Sequence, residues 1–438
     1  FTFARMNYPE TIDYLFTRLP MFSRIGPAAF KKDLTNTIQL CGFLDNPHQK
    51  FKTIHIAGTN GKGSVSHMLA AVLQTAGYKT GLYTSPHLKD FRERIKINGQ
   101  LIPEDYVVDF TEKIQSQITR IEPSFFEITV AMAFRYFADE QVDIAVIETG
   151  LGGRFDSTNI IHPELSVITN IGFDHVTMLG DTLEKIAFEK AGIIKKETPV
   201  VIGEIHPETK PVFDKKAAEM NAPISYAQKK WQAVDWKWEH HHLKIEVAQP
   251  PAPDHLHFSL DLPGIYQTKN LLTVLEAAAV LHKAGWNTGH DMVGKAMPYI
   301  IQLTGLHGRW ERIHEQPDII LEVAHNEDGV RQMMEQIELS RFHQLHIIIG
   351  LVKDKDPAKV LALLPAYARY YFTQAHIPRA LDAESLKQSA GQFDLTGDHY
   401  PDVNKAIQSA LAVANKEDLI IVCGSIFLVA EVGDQYLR

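Results

Sequence analysis

The residue types best suited to chemistry are concentrated in one short stretch, GTNGKGS at 58–64. Its three glycines let backbone N–H groups turn inward, and Lys62 adds a positive charge. Ser64 supplies a hydroxyl oxygen, a ligand type that suits Mg2+. This combination indicates a loop that binds the phosphates of a nucleotide. The candidate contacts are Gly58, Thr59, Asn60, Gly61, Lys62, Gly63 and Ser64.

The elements around this loop must present it to a ligand. The apolar residues 51–57 predict a buried strand, and 65–76 have helical spacing. Backbone N–H groups at a helix N-terminus attract anions, so strand, loop and helix together form a phosphate cradle. A glycine-rich turn needed only for packing would not also require a lysine and a serine.

The spacing of the loop departs from the common Walker A pattern. That pattern requires glycine where this chain has Ile56, and serine or threonine where it has Gly63. The loop is therefore expected to bind a nucleoside triphosphate, but in a protein outside the common kinase and GTPase families.

Composition restricts the class of protein. The chain has 438 residues, of which 45% are hydrophobic and 22% charged, and a net charge of −9. These values predict a globular protein of two or three domains that does not bind nucleic acid. Two cysteines, and the lack of a long apolar run, predict a cytoplasmic protein with no membrane partner.

Alternating strand and helix patterns predict an α/β fold with two domains. Residues 1–303 are expected to form a P-loop ATPase domain with a mostly parallel sheet, and the alternating segment 225–262 a small antiparallel sheet at its edge. Residues 304–438 are expected to form a smaller, Rossmann-like α/β domain. In such sheets, ligands bind beyond the carboxyl ends of the strands.

Further polar residues follow predicted strands. Ser85, Glu148 and His175 could join Ser64 at a metal site, because hydroxyl and carboxylate oxygens suit Mg2+. Taken alone, Glu148 could merely cap a helix, and His175 could bond to the backbone. Lys190, taken alone, reads as a surface lysine. His325 follows a strand of the second domain.

Seven motifs occur in order along the chain and together carry a family resemblance. They closely resemble folylpolyglutamate synthase and dihydrofolate synthase, members of the Mur ligase superfamily, from about residue 10 to 433. The motifs are GTNGKGS, TSPHL, ETGLGGRFDSTN, GFDHVTMLGDTLEKIAFEKAGIIK, LPGIYQTKN, HGRWE and CGSIFLVAEV.

This resemblance implies an ATP-dependent ligase that joins L-glutamate to dihydropteroate, to a tetrahydrofolate-type substrate, or to both, through an acyl phosphate. It implies Mg2+ at two sites, held by Ser64, Ser85, Glu148, His175 and a carbamylated Lys190, and a monomeric enzyme. Lys62, Lys190 and His325 are the implied catalytic residues. Asn270, Arg309 and Glu322 match positions at the ATP site. The implied substrate contacts are Thr84, Pro86, His87, Arg94, Arg154, Asp156 and Ser425.

The sequence departs from the family at D-G-A-H-N-P, which here reads EVAHNE at 322–327. Glu322 and Val323 replace Asp and Gly, which puts the ATP contacts at this point in question. The alternatives are another amino-acid ligase of the superfamily and a non-folate P-loop ATPase. A peptidoglycan-precursor ligase is disfavoured, because only 57 residues precede Gly58.

Overall fold

Apolar runs followed by glycine or polar residues form the central strands of two parallel-rich sheets. The computed structural model describes residues 6–21, 26, 32–353 and 356–436. Chain contacts divide these residues into two units. Unit 1 extends to Gly172 and includes Val176–Asp261 and Gln267–Leu306. Unit 2 contains Phe173–His175, Leu262–Tyr266 and the chain from His307 onward. Two short segments of the predicted first domain therefore group with unit 2.

The elements of unit 1 alternate between strands and helices. They are α1 (Tyr8–Arg18), α2 (Thr35–Phe43), β1 (Lys52–Ala57), α3 (Lys62–Thr75), β2 (Thr80–Tyr83), β3 (Ile95–Ile97), β4 (Gln100–Leu101), α4 (Glu104–Ile121), α5 (Phe125–Asp139), β5 (Ile144–Glu148), β6 (Leu165–Ile168), α6 (Val176–Leu179), α7 (Leu183–Lys190), β7 (Val200–Ile202), α8 (Lys210–Glu219), β8 (Ile224–Tyr226), α9 (Ala227–Lys230), β9 (Gln232–Glu239), β10 (His242–Ala248), β11 (His255–Leu260), α10 (Gln267–Lys283), α11 (His290–Ala296) and α12 (Ile300–Thr304).

Eight of the strands in unit 1 form one sheet in the order β4-β3-β2-β5-β1-β6-β7-β8. The pairs from β2 to β8 are parallel, whereas β3 and β4 add an antiparallel edge. The central strands are buried along most of their length, as expected for a parallel sheet covered on both faces. Their carboxyl ends bring the loops after β1, β2, β5 and β6 to one edge of the sheet.

The predicted antiparallel sheet is confirmed as a separate three-stranded sheet, ordered β11-β10-β9. Its inner face includes the buried residues Leu243, Ile245 and Val247, while the alternate residues are more exposed. The histidine run at 240–242 forms the β9–β10 hairpin, with positive φ at His240 and His241.

Unit 2 contains a six-stranded sheet, ordered β12-β13-β17-β14-β15-β16, in which only β12 is antiparallel to its neighbour. This confirms the second α/β domain. Its elements are β12 (Arg309–His314), β13 (Asp318–Glu322), α13 (Glu327–Glu338), β14 (Leu345–Gly350), α14 (Pro357–Leu361), β15 (Arg369–Phe372), α15 (Ala383–Ala390), β16 (Gly397–His399), α16 (Val403–Val413), β17 (Leu419–Gly424) and α17 (Ile426–Ala430).

Two helix boundaries differ from the prediction. Helix α3 begins at Lys62 rather than at residue 65, so Lys62 and Ser64 lie in its first turn. The apolar residues after Asn270 predict a helix from residue 271, but helix α10 begins at Gln267, which places Asn270 in its first turn. Within the described residues, no helix has the length and apolar character that a bilayer crossing requires.

Candidate active site

The phosphate loop is held against the end of strand β6. The N–H of Thr59 donates to the carbonyl of Asn170 at 3.0 Å, and that of Asn60 donates to the Asn170 side-chain oxygen at 2.8 Å. Gly58 packs so closely that a Cβ atom there would lie 1.9 Å from Oγ1 of Thr169. Glycine is therefore required by the close approach of these two strand ends.

The start of helix α3 carries no side-chain cap. Its N-cap residue, Gly61, has a left-handed backbone with φ of 81° and, as a glycine, supplies no side chain to cap the N–H groups of the first turn. Gly63 is the second residue of the helix. Uncapped N–H groups at a helix N-terminus favour an anion, so this turn is suited to a phosphate.

Two lysines donate to the same carbonyl oxygen in this loop. Nζ of Lys62 lies 3.1 Å from the oxygen of Gly58, and Nζ of Lys190 lies 2.8 Å from it. Lys190 is buried at the end of α7, so it is not the surface lysine that the sequence alone suggested. The two ammonium groups therefore lie close together, and like charges at such a separation repel each other.

The first turn of α10 lies beside the loop. The side-chain amide of Gln267 donates to Oγ of Ser64 at 3.2 Å, and Asn270 donates to Gln267 at 2.8 Å. Oδ1 of Asn270 would lie 2.5 Å from a Cβ atom added to Gly61. The predicted contacts Ser64, Gly61 and Asn270 are therefore brought together, and Gln267 joins them.

Ser85 and Glu148 meet at the ends of the paired strands β2 and β5. The N–H of Ser85 donates to Oε2 of Glu148 at 3.3 Å, and the Glu148 side chain is buried. A serine hydroxyl and a buried carboxylate are oxygen ligands, and this donor set is suited to Mg2+. His175 lies in the Phe173–His175 segment of unit 2. In the described part of the chain, no three His, Cys, Asp or Glu side chains cluster as a metal site.

The loop after β2 contains a partly buried guanidinium–imidazole pair. Nε of Arg94 donates to Nδ1 of His87 at 2.7 Å, and the guanidinium lies 5.3 Å from the centre of the Phe125 ring. Burial, with the neighbouring Arg94, lowers the pKa of His87 to about 3, so the imidazole is neutral. The N–H of Thr84 donates to the Arg94 carbonyl at 3.1 Å. Pro86 follows Ser85 through a cis peptide bond.

The loop after β5 is fixed by the side chains of Asp156 and Arg154. The Asp156 carboxylate is 2% exposed and accepts from the N–H groups of Leu151 and Thr158, at 2.8 and 3.0 Å. Burial raises the pKa of Asp156. The Arg154 guanidinium pairs with Glu189 at 2.6 Å. Both predicted substrate contacts are thus engaged within unit 1, where they shape the loop.

In unit 2, Glu322 is buried at the end of β13. Its Oε2 accepts from the hydroxyl of Tyr266 and from the N–H of Trp310, each at 2.8 Å. Burial raises the pKa of Glu322 to about 7, although the neighbouring Arg309 lowers it. The Arg309 guanidinium itself donates to the Gly308 carbonyl at 3.2 Å.

His325 and Ser425 follow neighbouring parallel strands of unit 2. Nε2 of His325 lies 3.3 Å from Oδ2 of Asp174, and the side chain of Asn326 donates to the same oxygen. Oγ of Ser425 accepts from the N–H of Phe427 at 3.2 Å and caps α17. His325 follows a strand, as predicted, and Ser425 follows the neighbouring strand, which ends at the same edge of the sheet.

Several residues that shape these sites were not predicted from the sequence. Thr169 and Asn170 follow β6 and hold the phosphate loop, so the rule that ligands bind at carboxyl ends could have identified them. Gln267, Tyr266 and Asp174 lie within motifs that were noted for other residues. Only the folded chain shows what they contact.

Both units match known family models. Residues 56–278 match the Mur ligase middle domain, and residues 308–426 match the Mur ligase glutamate ligase domain. The fold and the phosphate loop thus define a ligase of the Mur type that binds ATP.

Curated relatives and solved structures narrow this class. The Bacillus subtilis dihydrofolate synthase/folylpolyglutamate synthase is 32% identical over 92% of this chain and 94% of its own length. The Escherichia coli protein of the same name is 33% identical over 86% and 85%. The chain belongs to the folylpolyglutamate synthase/dihydrofolate synthase family.

Two solved structures share the whole fold. Escherichia coli FolC in complex with DHPP and ADP has a TM-score of 0.82 at 30% identity, covering 97% of this chain and 96% of that one. Mycobacterium tuberculosis folylpolyglutamate synthase complexed with ADP and AMPPCP has a TM-score of 0.83 at 30% identity, covering 93% and 96%. The predicted fold class is confirmed.

Proposed function

We propose that the chain joins L-glutamate to a pterin-bearing carboxylate, that of dihydropteroate, of a reduced folate, or of both. ATP drives the reaction through an acyl phosphate. One observation carries the proposal: a glycine loop with Lys62 stands before the uncapped N-terminus of α3, within a chain of this ligase family. That loop supplies positive charge and N–H donors where phosphates must be held.

The reaction needs two displacements. A carboxylate oxygen of the pterin substrate attacks the γ-phosphorus of ATP, and ADP leaves. The neutral amine of glutamate then attacks the acyl carbon, phosphate leaves, and the amine loses a proton. Lys62 and the N–H groups of the first turn of α3 stabilise the charge on the phosphates. Asn270 and Arg309 contact ATP, and His325 lies near the γ-phosphate and the glutamate.

Mg2+ would neutralise phosphate charge during transfer. The oxygen ligands of Ser64, Ser85 and Glu148 would hold it, with His175 as a further ligand. Two sites are proposed, the second involving Lys190. The loops that carry Thr84, Pro86, His87, Arg94, Arg154 and Asp156 surround the pterin substrate, and Ser425 lies near the incoming glutamate.

Lys190 is proposed to be carbamylated. Its ammonium group would lose one proton, and the resulting amine nitrogen would bond to the carbon of CO2 and release a second proton, so that a cation becomes an anion. Lys190 is buried, and its Nζ donates to the same carbonyl oxygen as Nζ of Lys62. Replacing the positive charge of Lys190 with a negative one would remove the repulsion between them, which favours the carbamate. The test is carbon NMR of the native protein in 13C-labelled bicarbonate. A carbamate signal lost in Lys190→Arg is expected, and its absence from folded wild type would refute the modification.

The deciding experiment for the function is phosphate release that depends on ATP, Mg2+ and glutamate. It is run separately with dihydropteroate, with tetrahydrofolate, and with no pterin acceptor. Release with either pterin substrate is expected. Folded protein that releases phosphate with neither contradicts the proposal, and release without any acceptor favours a non-folate ATPase. A monomeric state and a cytoplasmic location stay predictions.

A further inference from the structure

Glu322 lies where a β-bulge interrupts the edge of the unit 2 sheet. Strands β12 and β13 pair Arg309 with Glu322, but the register shifts before Glu311, which leaves Trp310 as the bulged residue. Trp310 has φ of 50°, a conformation that a bulky side chain rarely adopts. The Glu322 carboxylate accepts its N–H at 2.8 Å and so replaces the missing ladder partner. The bulge therefore depends on the Glu322 side chain.

The same oxygen holds a second piece of chain. The Tyr266 hydroxyl donates to Oε2 of Glu322 at 2.8 Å, and the neighbouring Ile265 donates its N–H to the buried side chain of Gln336 at 2.6 Å. The segment Leu262–Tyr266 is thus held by the rest of unit 2 at two points. It leads directly into α10, whose first turn carries Gln267 and Asn270.

We propose that Glu322 is a positioning residue for the nucleotide site. It fixes the bulge that orients Arg309 and holds the segment that precedes α10. This rests on the proposed function, in which Arg309 and Asn270 contact ATP. Bulges commonly redirect a side chain beside an active site, and here the redirected neighbour is Arg309.

The length of the Glu322 side chain agrees with this role. The family pattern has aspartate here, one methylene shorter, and that carboxylate would lie farther from both donors. The charged or titratable groups that face Glu322 are Arg309 on β12, Tyr266, and Cys423 on the paired strand β17. Because the pKa of Glu322 is raised to about 7, the strength of this acceptor changes near neutral pH.

The test compares Glu322→Ala, Glu322→Gln and Tyr266→Phe with wild type. Affinity for ADP is measured by calorimetry from pH 6 to pH 8, and KM is measured for ATP and for glutamate. Glu322→Ala should weaken nucleotide affinity about tenfold, because two hydrogen bonds are lost, with the glutamate KM within about twofold. Glu322→Gln keeps an acceptor oxygen and should stay within about threefold of wild type, but with a flat pH profile.

A double-mutant cycle separates positioning from general loss of stability. If Glu322 acts through Arg309, then Glu322→Ala should add little to the loss that Arg309→Ala causes alone. Tyr266→Phe removes one donor and is the milder variant if Glu322→Ala does not fold. The matched control is Glu315→Gln, an exposed glutamate in the same hairpin, which should bind ADP like wild type.

Two outcomes would overturn the inference. One is a folded Glu322→Ala or Tyr266→Phe protein with unchanged ADP affinity, and the other is full additivity with Arg309→Ala. Failure of the proposed function looks different: wild type would bind ADP and release no phosphate with either pterin substrate. Because ADP binding is read without turnover, the two failures are distinguishable.

Discussion

The imidazole of His325 lies 3.3 Å from the Asp174 carboxylate, although 151 residues separate them in the sequence. Asn326 donates to the same carboxylate oxygen, also at 3.3 Å, and its own side-chain oxygen caps α13. Because a carboxylate only accepts, Nε2 of His325 carries the proton in this contact. Asp174 therefore orients the histidine that is proposed to lie near the γ-phosphate.

Replacing Asp174 with asparagine should lower kcat by about tenfold to a hundredfold. Its amide keeps the shape but loses the charge that orients His325, and misplaced groups slow catalysis sharply. The ATP KM should change little. Phosphate release at saturating substrates measures this, with exposed Asp181→Asn as the matched control. An unchanged kcat would show that the contact has no role in turnover.

Lys62→Ala should abolish glutamate-dependent phosphate release. Lys62 is the loop cation, and its Nζ lies within 3.2 Å of the carbonyls of Gly58 and Thr59, where it can reach a bound phosphate. The loss of one charge contact to a transferring phosphoryl group is expected to slow turnover by about a thousandfold. Lys113→Ala removes an exposed lysine on α4 and should behave like wild type. Persistent activity in Lys62→Ala would contradict the assigned role.

Gly61→Ala and Gly77→Ala separate backbone strain from crowding at the site. Both glycines have left-handed backbones, with φ of 81° and 91°. A Cβ atom at Gly61 would lie 2.5 Å from Oδ1 of Asn270, whereas at Gly77 it would meet nothing within 4 Å. Both variants should lose about 1 kcal/mol of stability, but only Gly61→Ala should weaken ATP binding. Equal ADP affinity in the two variants would count against a role for Asn270 at the nucleotide.

The elements that were predicted correctly are those whose formation depends on residues close together in the sequence. Buried parallel strands are apolar runs, so β1, predicted at residues 51–57, was placed within one residue. The start of α3 was predicted three residues late, because its N-cap is a left-handed glycine without a side-chain cap. The edge strands β12 and β16 are partly exposed, so their sequences carry little apolar pattern.

Contacts between segments that are distant in the sequence could not be predicted from the pattern of apolar and polar residues. Asn170 reaches Asn60 across 110 residues, and Tyr266 reaches Glu322 across 56. Neither pair has a spacing that a helix or a hairpin would give. The family resemblance supplied the roles of Lys190 and His325, but it did not indicate that Glu322 points into its own unit. That orientation depends on the bulge at Trp310 and on the Tyr266 hydroxyl.

Glu322 should also make stability depend on pH. Its pKa rises from the usual 4.5 to about 7 in the folded chain, so between these values the folded protein keeps a proton that the unfolded chain releases. Stability therefore falls as pH rises through this window, by up to about 3 kcal/mol, and the full loss is present above pH 7. Glu322→Gln cannot titrate and removes this fall.

The measurement is urea unfolding of wild type and Glu322→Gln at pH 5 and pH 8, followed by tryptophan fluorescence. Trp310 is buried beside Glu322 and reports on this unit. The stability of the variant relative to wild type should increase from pH 5 to pH 8, because only wild type is destabilised as Glu322 ionises. The contributions of other titrating groups cancel in this difference. Exposed Glu315→Gln should show no such trend. A difference between wild type and Glu322→Gln that is independent of pH would mean that Glu322 is ionised throughout this range and that Arg309 outweighs its burial.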